Sequence, residues 1–197
     1  SKRWQQWNWG DVLPKIFGEW TANSKWRGNL WERTPQRIRQ AYILRDGIKP
    51  LSEQNLSAAE VENIKNEIKF LTAYGWWQMA EAYGGIPFKP DYIAPTDFTL
   101  SDLMIGQSKF DDVVDYCDKQ MLEAANALPA VYEDPSKYGR INKIMALTVR
   151  ARMLLFAASP LTNGNDWYKD YKNVDGENIF NPTYDPQKWV KAAEACK

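Results

Sequence analysis

Six of the ten tryptophans (Trp4, Trp7, Trp9, Trp20, Trp26 and Trp31) fall within the first 31 residues. Asn23, Arg27 and Asn29 stand among them, each with several hydrogen-bond donors. Indole rings pack on flat apolar faces, and neighbouring amide or guanidinium groups then bond the polar groups that rim such a face. That is chemistry for holding a molecule, not for changing it. The competing reading is that the rings fill a core beneath a long loop, each N–H finding a buried partner. Gly10, Pro14, Gly18 and Gly28 interrupt the same stretch, so residues 1–33 read as an aromatic-rich loop segment and 34–197 as a helical region.

Catalytic and metal chemistry find little to work with. The chain has no histidine, which removes the commonest general base and the commonest metal ligand. Paired carboxylates for glycosidic chemistry exist on paper as Asp111 with Asp112, Asp97 with Asp102, or Asp175 with Glu177. They stand in loops and at helix starts, where acids cap and solvate helices anyway. Asn163, Asn165, Asp166 and Asp170 are clustered oxygen donors of the kind calcium takes, but they lack the full spacing of a known loop and also suit ordinary turns. Cys117 and Cys196 form no CxxC, and Cys117 on an apolar helical stripe reads as a buried free thiol rather than a disulfide partner. No cofactor is expected.

Charge balances at 25 basic and 25 acidic residues, so no general field draws the chain to nucleic acid, and none is expected as a partner. Mean hydropathy is −0.58, and no run approaches the roughly 18 apolar residues of a membrane span. Ser1 opens without a start methionine, signal peptide or lipidation cysteine, and the last residues read as a helix still running. The expectation is a fragment of a longer chain.

The elements that must position these residues are helical. Thr34 and Pro35 predict a helix start, with Ile38, Ala41, Tyr42 and Arg45 as its stripe and Gly47 as a left-handed stop. Ser57 and Glu60 form a capping-box pattern. From there a helix of about 40 Å, at 1.5 Å per residue, should run to Gly84-Gly85 on a face of Val61, Ile64, Ile68, Leu71, Gly75, Met79 and Ala82. Pro87, Pro90 and Pro95 predict extended loop from Ile86 to Leu100. A third helix starts near Ser108 and is lined by Phe110, Val113, Val114, Cys117, Met121 and Ala125. A fourth runs from Asn142 to Ala158 on a face of Ile144, Met145, Thr148, Ala151, Leu154 and Leu155. After a polar loop, Asp185-Pro186 opens a last helix. No segment alternates as a strand does, so the fold class is all-α: tetratricopeptide-like helix pairs with long irregular loops.

Four stretches in order resemble one family. They are Glu67 through Trp77 leading into Tyr83-Gly84-Gly85-Ile86-Pro87; Leu128-Pro129 with Gly139-Arg140; Ala158-Ser159-Pro160-Leu161 with Asn163-Gly164; and Trp189 with Ala192-Ala193. Trp26 to Leu44 fits more loosely. Together they are similar to the N-terminal half of SusD/RagB-like outer-membrane lipoproteins of Bacteroidetes.

The resemblance implies a protein held by a lipid anchor, outside this stretch, on the extracellular face of the outer membrane. It implies a SusC-like TonB-dependent transporter as partner and an oligosaccharide, or in some members a peptide, as ligand. Trp20 and Asn23, with Trp26, Arg27 and Asn29, are similar to the aromatic-plus-amide site some members use to stack sugar faces. An interaction scaffold that holds peptides or a partner protein is the alternative from another class. Trp76 and Trp77 read as packing, and Trp167, Tyr168 and Tyr171 as a satellite contact or a cover for the helices.

Overall fold

The computed structural model describes residues 16–19, 21, 24, 30–54, 56–95 and 97–197. Within them lie six α-helices: α1 (Leu30–Gly47), α2 (Ala58–Tyr83), α3 (Leu100–Leu103), α4 (Phe110–Ala127), α5 (Lys143–Ala158) and α6 (Gln187–Ala195). Among the described residues only isolated backbone bridges, and no strands, interrupt the helical stack. Each long helix packs chiefly on the next long one along the chain, as helix pairs do when a solenoid buries its faces in sequence.

The helix α1 starts at Leu30, so Thr34 is not its cap but a buried residue inside it, and Pro35 lies past the first turn. Gly47 ends the helix without a positive φ, and Ile48 N–H closes on the Leu44 carbonyl at 2.9 Å. In α2, Ser57 caps by accepting from Glu60 N–H at 3.1 Å. The Glu60 carboxylate instead takes Lys137 at 3.0 Å and Arg140. A remote ion pair has won over the local return bond that the sequence pattern predicts.

Sandwiched between α1 and α4, α2 is buried nearly all round from Ile68 to Ala80, while Leu71 is exposed. Trp76 donates to the Tyr42 hydroxyl at 3.3 Å, tying α2 to α1. Trp77 meets Phe156 edge-on at 5.4 Å and Phe110 at 6.1 Å, tying α2 to α5 and α4. Both rings pack, as their place in the middle of a helix suggests.

The stripe expected for α4 is buried throughout. The face expected for α5 is not: Ile144, Met145, Thr148 and Leu155 are exposed, and Ala146, Met153, Leu154, Ala157 and Ala158 are buried. The buried side mixes three alanines, which let α5 approach its neighbours closely, with Met153 and Leu154, of which Leu154 belonged to the expected face. Asp118 on α4 accepts from Arg150 of α5 at 2.6 Å and Lys191 of α6 at 2.9 Å. One carboxylate thereby joins three helices.

The loop between α5 and α6 folds back into the core. Gly84 has φ +74°, and a Cβ there would come within 2.9 Å of the Phe180 ring. A Cβ on Gly85 would meet Ile179 at 2.8 Å. Ile179 and Phe180 therefore seat on the corner only because those two positions carry no side chain. The Ile179 carbonyl accepts Phe110 N–H at 2.8 Å at the start of α4. Tyr168 stacks on Phe180 at 4.7 Å, so this part of the loop is a cover.

Cys117 is buried and Cys196 exposed, both as free thiols. Burial pushes the Cys117 thiol well above its usual range. A thiol-reactive dye should therefore label Cys196 in the native protein and reach Cys117 only in denaturant. Equal labelling rates at both positions would contradict this packing.

Candidate functional site

A groove of about 290 Å³ opens between the first half of α1 and the loop that follows α2. Trp31, Pro35, Ile38 and Arg39 supply the α1 side, and Trp76 and Met79 form the floor. Pro87, Lys89, Tyr92 and Ala94, with Leu103 and Ile105, supply the far wall. That wall is held in place locally. Ser108 N–H bonds the Ile86 carbonyl at 3.0 Å, and Thr99 N–H bonds the Asp102 carboxylate at 2.8 Å to start α3. The extended loop expected from Ile86 to Leu100 is thus followed at once by a short capped helix.

The rings of the groove differ in exposure. Trp31 is 45% exposed and steadied edge-on against Tyr83 at 5.0 Å, so one region of its indole faces solvent while its orientation is fixed. Trp76 is held by Tyr42 and by Phe88 at 5.2 Å. Lys89 Nζ sits 3.7 Å over the Tyr92 ring, a cation–π contact that orients both groups. Arg39 has one long bond, 3.4 Å to the Ala94 carbonyl. Aromatic rings, the Arg39 fork and the Lys89 ammonium share one concave surface.

The sequence-predicted contacts Trp20, Asn23, Trp26, Arg27 and Asn29 lie outside the described residues. Trp31, the last of the six clustered tryptophans, is described, and it lines the groove. Arg39, Lys89 and Tyr92 were not singled out by sequence reasoning. Lys89 and Tyr92 share one loop but stand far in the chain from Arg39, and only the packing of α1 on α2 brings the two sides together.

Several of the other candidate groups serve the fold. Asp111 pairs with Lys188 at 2.6 Å, Asp102 caps α3, and Glu177 pairs with Lys109 at 2.6 Å. Hydrogen bonds from Thr99 hold Asp102 below the usual carboxylate range, and the bond from Lys109 does the same for Glu177. A general acid needs the opposite shift. Asn163 accepts Asp185 N–H at 2.8 Å and donates to the Asp185 carbonyl at 2.9 Å. Asn165 accepts Trp167 N–H at 3.0 Å. Both amides are committed to turns. Trp167 projects outward, 87% exposed.

The described residues form a helical stack with a shallow aromatic groove, and comparison with known proteins places the chain in a family. A SusD-like family model, described as "Starch-binding associating with outer membrane", matches residues 1–155. The chain belongs to this SusD-like family. Among solved structures, BT4246 is 32% identical with a TM-score of 0.77, covering 93% of this chain and 31% of that one. A SusD-like carbohydrate-binding protein, BF0978 from Bacteroides fragilis, is 21% identical with a TM-score of 0.61 over 76% of this chain and 28% of its own. Surface glycan-binding protein A from Bacteroides uniformis is 20% identical with a TM-score of 0.50 over 68% and 29%. The last two show likeness of fold. No curated protein matches the chain. The chain spans about a third of the length of the solved structures it resembles.

Proposed function

We propose that this protein captures oligosaccharides at the extracellular face of the outer membrane and passes them to a SusC-like TonB-dependent transporter. Membership of a starch-binding, outer-membrane-associated family supports the setting. The names of two structural neighbours, a carbohydrate-binding and a glycan-binding protein, point the same way. The observation that carries the reading is the Trp31 groove. A half-exposed, edge-braced indole beside Trp76, Tyr92 and the Arg39 guanidinium is what a sugar ring needs on its C–H face and its hydroxyl rim. Trp20, Asn23, Trp26, Arg27 and Asn29 belong to the same proposal, as further contacts from the segment that leads into α1.

Tryptophan fluorescence of the full chain, titrated with a panel of plant, host and microbial oligosaccharides, tests it. Trp31→Ala should weaken binding about tenfold or more, since an aromatic anchor commonly contributes 2 kcal/mol or above, and Trp20→Ala should weaken it as well. A response to peptides or to a purified transporter, and to no saccharide, would move the function to protein recognition.

A further inference from the structure

Among the described residues that line the groove, charge is one-sided: two, Arg39 and Lys89, are cations, and none is Asp or Glu. Both are exposed. Several cations elsewhere in the stack are neutralised: Arg45 pairs with Asp46 and Asp91, Arg140 with Glu60 and Glu67, and Arg150 with Asp118. Among the described residues, no carboxylate lies within ion-pair distance of Arg39 or Lys89. Arg39 makes one long bond to a carbonyl, which leaves most of its five donors open. Lys89 lies over the Tyr92 ring, which is a neutral partner. Its charge contributes to the lowering of the Asp102 carboxyl, but only behind that group's own bonds to Thr99.

Rings and unpaired cations together narrow the ligand class. We propose that this groove selects acidic saccharides, bearing a uronate carboxylate or a sulfate ester, over neutral glucans. The proposal rests on the glycan-capture reading above. A sugar ring packs on Trp31, and its anionic group meets the Arg39 fork, which can take a carboxylate or sulfate with two parallel N–H donors. Lys89 adds a second point charge from the opposite wall. Because the chain as a whole carries 25 charges of each sign, the attraction is local to the groove and not a property of the whole surface.

The experiment compares three probes against the full chain by calorimetry. They are an oligogalacturonide, its carboxyl-reduced neutral counterpart, and a sulfated galactan oligosaccharide. Charge-assisted bonds of this kind predict about tenfold or tighter binding of an acidic probe than of the reduced one, weakening as salt rises. Preference for the first or the third probe tells carboxylate from sulfate. The exposed pair Arg39→Ala/Lys89→Ala should erase that preference without changing the melting temperature, and Arg39→Lys should restore part of it. Equal affinity for the acidic and reduced probes overturns the inference and leaves glycan capture standing. An acidic preference that survives the double substitution overturns this groove as its source. Binding of no saccharide overturns both readings.

Discussion

Asp118→Ala is expected to destabilise the protein by about 3–5 kcal/mol, the usual consequence of stripping one partner from a buried charge pair. Asp118 and Arg150 are 12% and 14% exposed at their side chains, and they meet at 2.6 Å. Removing the carboxylate leaves the Arg150 guanidinium buried beside Lys191 with no anion to answer it. The loss is read from the urea midpoint, and Asp118→Asn separates charge from shape. An added Arg150→Met substitution should return a large part of the stability, because it removes the stranded charge. A midpoint shift worth less than about 1 kcal/mol would mean that the pair is solvated like an ordinary surface bridge.

The second large effect is expected at Gly164. Its φ is +73°, and a Cβ there would lie 2.7 Å from the backbone nitrogen and Cα of Tyr184. Backbone cannot swing aside as a side chain does. Gly164→Ala therefore combines left-handed strain with a forced separation of the two loop strands, about 2–4 kcal/mol in sum. Gly139→Ala is the matched control. It shares the positive φ, at +90°, but a Cβ there meets nothing within 4 Å. Thermal unfolding should therefore place Gly139→Ala nearer the parent than Gly164→Ala. If the two variants melt together, the clash with Tyr184 contributes nothing.

The stripe of helix α4 was legible because α2 and α5 both pack on one face and the other is wet, so Phe110, Val113, Val114, Cys117, Met121 and Ala125 keep a clean helical period. Helix α2 has neighbours on two sides, which blurs the period and leaves Leu71 on the outside of an otherwise buried stretch. Helix α5 misled for another reason. Its large residues Ile144, Met145 and Leu155 look like a core yet lie outward, while Met153 and Leu154 are buried together with Ala146, Ala157 and Ala158. The helix is apolar nearly all round, so hydropathy alone does not choose which face packs. The glycine corner and the Asn163-Gly164 turn were readable as backbone devices, though not the identity of what they admit, since Ile179, Phe180 and Tyr184 lie in a loop with no period of its own.

The groove was the least legible part. The sequence pointed to clustered tryptophans, and Trp31 does line a cavity. Its charged partners come from mid-α1 and from a proline-rich loop, and no local spacing rule connects Arg39 with Lys89. Such convergence is created by tertiary packing alone.

The loop that seats Ile179 and Phe180 on the glycine corner also changes how the molecule comes apart. A stack in which each helix leans on its successor can fray from either end, one layer at a time, because no contact spans distant layers. Here Phe180 packs against Phe110 at 5.1 Å and presses on Gly84, so residues from beyond α5 are bound to the end of α2 and the start of α4. Losing α6 would release the loop, and losing the loop would expose the ends of both earlier helices. Among the described helices the loop works as a clasp, coupling the opening of α2 and α4 to the chain beyond α5.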